Sequence, residues 1–307
     1  MLSEFIDTHK AGSPTDPKVY WIFLRPREIA ERFFTQTGYK VSHGFIKRLL
    51  KDLGYQYRKL NKSLATGYYE DRDKQFQIIF DLVTIMSVNT PILSIDCKKK
   101  ERLGNLYRDG KCYCSAPINV FDHDYYYLGK GKVIPHGIYD MHRNIGYMTI
   151  GNSHETAEFV KDNLLWWWDN FGIHHYPNAN CILILCDAGG ANGHRHHVFK
   201  KQMQQLAKII GKDIIICHYP PYASKWNPIE HRLFCHVHRA IQGVVFSDYN
   251  LVKDLISKTT TKTGLKVIVR LNLKKYPIGI KTSKDEVDYS RIQFNKSIPD
   301  LSYRIAA

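Results

Sequence analysis

The spacing of apolar positions changes near residue 90. Before it, they recur at helical intervals. Pro26 and Glu28 suit a first helical turn, Ile29, Ala30 and Phe33 follow, and Thr37, Gly38 and Tyr39 break the run. A second helix opens at Ser42, a good N-cap, and places Phe45, Ile46, Leu49, Leu50 and Leu53 on one face, with Gly54 where a left-handed cap is expected. The first fifteen residues are polar, contain Gly12, Ser13 and Pro14, and are expected to form a tail or linker. Arg72 to Val88 has the pattern of a connecting amphipathic helix.

From Pro91 onward short apolar runs alternate with helical periodicity. Ile92 to Cys97, Val133 to Asp140, Ile145 to Gly151, Cys181 to Asp187 and Asp213 to Tyr219 predict strands. His154 to Asn170, Arg195 to Gly211 and a segment from about Asn227 to Ala240 predict helices. Three strands followed by alternating helices and strands imply an α/β fold: a mixed sheet covered by helices. Trp166 to Trp168 must point several ways on a helix, so at least one is expected to be exposed or covered by a partner. Arg102 to Lys132 forms an insertion or hairpin, and the chain beyond Leu251 is mostly basic and polar.

Composition narrows the partners. The 307 residues carry a net charge of +15, which favours a polyanion. The charge is concentrated: Lys40 to Lys62 holds seven Lys or Arg against one acid, and Lys253 to Lys284 holds nine against one. No long apolar run marks a membrane span, and Met1 to Lys10 lacks the apolar region of a signal peptide. Seven scattered cysteines imply free thiols in a reducing, cytoplasmic compartment. A helix, a short glycine turn and a basic helix form the pattern of a helix-turn-helix, which would turn Ser42, His43, Lys47 and Arg48 toward double-stranded DNA. An ordinary helical hairpin fits the same pattern equally well; the basic residues Arg58, Lys59 and Lys62 favour DNA.

Candidate chemistry lies at strand ends. The apolar runs ending in Asp96 and Asp187 each place a carboxylate at the end of a buried strand, which is costly unless it is paired or binds a cation. Glu230 follows Asp187 after 42 intervening residues, room for a helix, a strand and a turn back to the same edge. Singly, each acid is explained as a turn, cap or first-turn residue. Together they form an oxygen donor set for hard cations such as Mg²⁺, and two such ions serve phosphoryl transfer. Lys98, Lys99 and Lys100 follow the first Asp and could contact phosphates or form a solvated run. Trp226 could stack on a base or, more conservatively, pack beside the helix of Glu230, and Gly189 to Gly193 form a flexible turn. His194, His196, His197, His231, Cys235, His236 and His238 do not form a zinc pattern with Cys112 and Cys114, so no zinc is expected.

Leu93 to Glu101 (LSIDCKKKE), Cys186 to Gly193 (CDAGGANG) and Ser224 to Phe234 (SKWNPIEHRLF) resemble the three catalytic blocks of the Rhodopirellula-type transposase DDE domain, a bacterial insertion-sequence family related to the mariner-like group. Ile134 to Asp140 (IPHGIYD), His154 to Phe159 (HETAEF), Thr259 to Leu265 (TTTKTGL) and Tyr276 to Lys281 (YPIGIK) extend the resemblance. It implies an RNase H-like catalytic fold, and with the chain's own pattern this gives a helix-turn-helix-type region at 17–66, a connecting helix at 67–89, the RNase H-like domain at 90–245 and a basic extension at 246–307. It further implies that Asp96, Asp187 and Glu230 bind two Mg²⁺ or Mn²⁺ ions for cleavage and joining of transposon ends, by a homodimer or higher oligomer on DNA in the bacterial cytoplasm, at the nucleoid. Two departures stand out: Cys97 replaces the family's usual Thr, and the further N-terminal helical segment of family members is missing, so a shortened chain is expected. The competing readings are a non-catalytic DNA-binding repressor from a truncated element and another RNase H-like nuclease, such as a junction resolvase.

Overall fold

Local capping decides where the N-terminal helices begin and end. The computed structural model describes residues 1–12, 18–58, 70–121, 123–221 and 223–307, in two compact units, Met1–Leu64 and Ala65–Ala307. The first unit contains α1 (Leu2–Asp7), β1 (Lys10–Gly12), β2 (Tyr20–Ile22), α2 (Pro26–Thr37) and α3 (His43–Asp52), with β1 and β2 antiparallel. Pro26 opens α2, the Arg25 backbone N–H donates to Glu28 Oε2 at 2.6 Å, and Gly38 closes the helix at φ 76°. Ser42 caps α3, its Oγ accepting from the Phe45 N–H at 3.1 Å. These helix starts are the ones the sequence predicts.

The packing departs from the expectation in two places. Residues 2–7 are a helix rather than a tail: Phe5 and Ile6 are buried with Ile29, Phe33 and Ile46. Leu2, Phe5 and Ile6 have helical spacing, but a six-residue helix is too short for periodicity to reveal it. On α3 the apolar face is narrower than predicted, because Ile46 alone is fully buried while Phe45 and Leu53 are exposed. Arg58 is exposed; Lys59 and Lys62 lie outside the described residues.

In the second unit, α4 (Arg72–Ile85) precedes β3 (Ile92–Cys97), β4 (Glu101–Leu103), β5 (Gly131–Asp140) and β6 (Ile145–Gly151). Then come α5 (Ala157–Trp167), the single turn α6 (Ile173–His175), β7 (Cys181–Cys186), α7 (His197–Ile210) and β8 (Asp213–His218). The chain ends with α8 (Cys235–Ile241), α9 (Tyr249–Ser257), β9 (Lys266–Asn272), β10 (Ile292–Phe294) and β11 (Ser302–Ile305). A nine-stranded sheet runs β10-β11-β8-β7-β3-β5-β6-β9, with β4 added beside β5. Its centre, β6-β5-β3-β7-β8, has β5 antiparallel to both neighbours and β3, β7 and β8 parallel, which is the RNase H-like order.

Alternation along the central strands explains why both faces are covered. Leu93 and Ile95, Ile182 and Ile184, and Ile214 and Ile216 face one core, filled by Val160, Leu164 and Trp167 of α5 and Phe199, Met203 and Leu206 of α7. Ile92, Leu183, Leu185 and Cys217 face the other side, against Ile79 of α4. On that same side Leu233, Phe234 and Val237 pack on Val133, Tyr139, Met148 and Ile150. The helix expected as a connector therefore covers the sheet; residues 67–69 of that expected segment lie outside the described residues. Trp167 and Trp168 are buried, and Trp166 is covered by the Arg270 guanidinium, 4.3 Å from its ring.

The last sixty residues are not an appendage, and the sheet does not end at 245. β9 pairs in parallel with β6 at one edge, and β11 pairs with β8 at the other. Charged positions such as Lys266 and Arg270 on β9 and the four-residue length of β11 hide these strands in the sequence. No helix among the described residues is long and apolar enough to cross a membrane.

Candidate active site

β3 and β7 are neighbouring parallel strands, so their carboxyl ends open on the same edge of the sheet. The register pairs Ile92 with Leu183 and Ser94 with Leu185; continued by two residues it sets Asp96 level with Asp187. By alternation Asp96 lies on the face of Ile92 and Ser94, the side covered by α4 and by the segment leading into α8.

Glu230 reaches this edge through a polar clamp. Asn227 is fully buried; its Oδ1 accepts from Ser94 Oγ at 2.5 Å, and its Nδ2 donates to the Ile95 carbonyl at 3.1 Å. Ser94 Oγ in turn accepts from the Ile229 N–H at 2.9 Å. These three bonds tie the start of the wide turn Glu230–Phe234 to the strand residues just before Asp96. Gly137, the cross-strand partner of Asp96, allows the approach: a Cβ there would lie 2.6 Å from Phe234 and 2.8 Å from Ile229.

Asp187 has its own supports. Asn192, nearly fully buried, donates from Nδ2 to Asp187 Oδ1 at 3.5 Å, so the glycine-rich turn also positions the acid. Buried His218 lies with Nδ1 3.1 Å from the Asp187 carbonyl and Nε2 3.1 Å from the Tyr303 hydroxyl of β11. Burial pushes His218 down to about 3, which keeps it neutral; Nδ1–H then donates to the carbonyl and Nε2 accepts from Tyr303. Sequence reading missed Ser94, Asn192, His218, Asn227 and Tyr303 as supports, since buried polar residues are recognisable only once their partners are known.

The electrostatics are those of crowded acids. Burial, followed by the charges of Asp187, Glu230 and Glu155, pushes Asp96 up to about 8, against the lowering effect of the Cys97 N–H donated to its Oδ1 at 2.7 Å. Asp187 is also raised, mainly by burial and then by Glu155 and Glu230, with Asn192 and the Gly189 N–H opposing. Among the described residues, no Lys or Arg forms an ion pair with any of the three predicted acids, and no three His, Cys, Asp or Glu side chains are gathered tightly enough to ligate one ion as they stand. The donor set nevertheless suits a hard divalent cation: half-buried carboxylate oxygens whose mutual repulsion a cation would relieve. Glu155 was not singled out by the sequence; its carboxylate is 3.0 Å from Lys100 Nζ.

The predicted DNA-contact residues divide. Lys98 is nearly buried, 3.7 Å from Glu101, while Lys99 is exposed and Lys100 is paired with Glu155. All three line a cleft of about 480 Å³ with Arg108 and His238. Trp226 is half exposed, its ring edge-on to Phe76 of α4 at 6.1 Å, so it packs and also presents a face. Ser42, His43, Lys47 and Arg48 are exposed on α3 of the N-terminal unit.

The family model described as the Rhodopirellula transposase DDE domain matches residues 1–307. Among solved structures, the chain is similar to a Mos1 transposase paired-end complex with the left transposon end, at 14% identity and a TM-score of 0.47, covering 82% of this chain and 68% of that one. It is similar to a Mos1 strand transfer complex at 14% identity and a TM-score of 0.46, covering 82% and 67%. A pre-cleavage Mos1 transpososome aligns at 13% identity and a TM-score of 0.47, covering 82% and 68%. No curated protein matches the chain. Matched along its whole length, the chain belongs to the Rhodopirellula transposase DDE domain family.

Proposed function

We infer that this protein is a metal-dependent DNA strand-transfer enzyme in which Asp96, Asp187 and Glu230 hold the metal. The observation that carries the reading is the meeting of three chain segments at one sheet edge: two parallel strand ends in register and a third acid clamped to the first of them by Ser94 and Asn227. Proteins of the family use divalent metals. Bound among these oxygens, two Mg²⁺ or Mn²⁺ ions would supply activation of the attacking oxygen and stabilisation of the leaving oxygen.

The chain's own residues do the rest. Ser94 and Asn227 fix the approach of Glu230; Asn192 and His218 fix Asp187. Exposed Lys99 and the basic cleft beside it offer charge to the DNA backbone. In the N-terminal unit, α3 offers Ser42, His43, Lys47 and Arg48 to double-stranded DNA as a helix-turn-helix would. In the first reaction water attacks a phosphorus at the transposon end, the P–O3′ bond breaks, and a 3′-hydroxyl is released. In the second, that hydroxyl attacks a target phosphorus and displaces the target's own 3′ oxygen, with no covalent protein–DNA intermediate.

The test is a gel assay on a duplex carrying the element's ends plus a target plasmid, with Mg²⁺ or Mn²⁺. Wild type is expected to give nicked ends and joined products, and Asp96→Asn neither. Equal behaviour of the two proteins would leave a DNA-binding repressor as the better reading, and cleavage without joining would favour a resolvase-type nuclease.

A further inference from the structure

A fourth acid reaches the same edge by a different route. β6 runs parallel to β3 and β7, being antiparallel to β5, and so delivers its carboxyl end beside theirs. Beyond Gly151 the chain turns through Ser153 and His154 into α5, with Thr156 as the N-cap. Glu155 stands just ahead of that cap, its side chain 17% exposed. One oxygen is 3.0 Å from the ammonium of Lys100, four residues past Asp96. The other lies 3.6 Å from where a Cβ on Gly190 would stand, three residues past Asp187. The carboxylate is thus held between the two segments that carry the predicted aspartates.

The next acids along the chain, on α5 itself, behave differently. Glu158 and Asp162 both pair at 2.8 Å with Lys274, whereas the charge of Glu155 acts on Asp96, Asp187 and Cys97. We propose that Glu155 is a fourth carboxylate of the metal site, contributing an oxygen to a bound divalent cation, and that Lys100 is the counter-charge displaced when the cation enters. This rests on the reading of Asp96, Asp187 and Glu230 as the metal site. A carboxylate already partnered by a half-exposed lysine can exchange that partner for a metal ion without leaving a buried charge unpaired.

The test titrates the full chain with Mn²⁺, following free ion by electron paramagnetic resonance and binding heat by calorimetry. Glu155→Gln is expected to weaken Mn²⁺ binding by about tenfold or more, comparable to changes around other metal sites. Lys100→Met is expected to tighten it, and Glu158→Gln to leave it as in wild type. Far-ultraviolet circular dichroism and the unfolding midpoint establish that each variant is folded. If Asp96→Asn weakens binding while folded Glu155→Gln matches wild type, Glu155 serves only as an ion-pair partner and the inference is overturned. Unchanged binding in both variants would overturn the site reading along with it, and weakening by Glu155→Gln alone would place the ion outside the site.

Discussion

Asn227→Ala should separate the clamp from the rest of the site. The Asn227 side chain is fully buried and makes two bonds, accepting from Ser94 and donating to the Ile95 carbonyl. Truncation leaves a buried hydroxyl proton and a buried carbonyl without that partner, each worth about 1–3 kcal/mol, for a loss of about 2–6 kcal/mol of stability. Glu230 lies three residues further on, and misplacing a reacting group by about 1 Å costs on the order of 100-fold in rate. Stability would be read from denaturant unfolding and the rate from Mg²⁺-dependent nicking of end DNA at a temperature where the variant is folded. Ser94→Ala should cost a similar amount, and the double variant less than the sum, because both act on one network. An Asn227→Ala protein within about 0.5 kcal/mol of wild type, nicking at the wild-type rate, would refute the clamp.

Other perturbations probe separate links. Gly137→Ala should cost about 1–3 kcal/mol, because its Cβ meets Phe234 and Ile229 below van der Waals distance; a wild-type unfolding midpoint would contradict the close packing. Tyr303→Phe removes the hydroxyl bonded to His218 and should cost about 1–3 kcal/mol, measured by chemical denaturation, with nicking slowed through Asp187; no change in either would show that β11 does not support the site. Buried His136 is pushed down to about 3 by burial, from an ordinary 6.5. The unfolded chain therefore takes up that proton first as pH falls, and stability is lost between about 6.5 and about 3 by up to about 1.4 kcal/mol per pH unit. His136→Leu should flatten that acid arm in unfolding curves taken across pH, and an unchanged slope would count against it. Lys47→Ala with Arg48→Ala should weaken end-DNA binding and lower its salt dependence in titrations at several ionic strengths; an unaltered salt slope would remove α3 from the interface.

Much of the second unit was readable from the sequence because its strands are buried on both faces. Ile92 to Cys97 and Cys181 to Asp187 are short apolar runs closed by an acid, and that pattern marks both a strand and the candidate site at its end. Helix starts were readable at Pro26 and Ser42 because capping is local chemistry. What escaped depends on distant partners. Asn227 and Ser94 look like a turn residue and a strand hydroxyl until they meet across 133 positions. Glu155 sits in a polar turn like many others, and only the parallel course of β6 brings it to the edge where Lys100 awaits it. The strands β9 and β11 escaped for another reason: they are short or charged, and edge positions need little of the apolar pattern that betrays a central strand. The six-residue α1 was hidden by its length alone.

The proposed metal site draws its acids from three separate segments of the chain. Anomalous diffraction from a crystal of the full chain soaked in Mn²⁺ tests it most directly. Anomalous density is expected among the carboxylates of Asp96, Asp187 and Glu230, and none in an Asp96→Asn crystal treated alike. Density elsewhere on the molecule with none at that edge, or density at the edge that persists undiminished in Asp96→Asn, would contradict it.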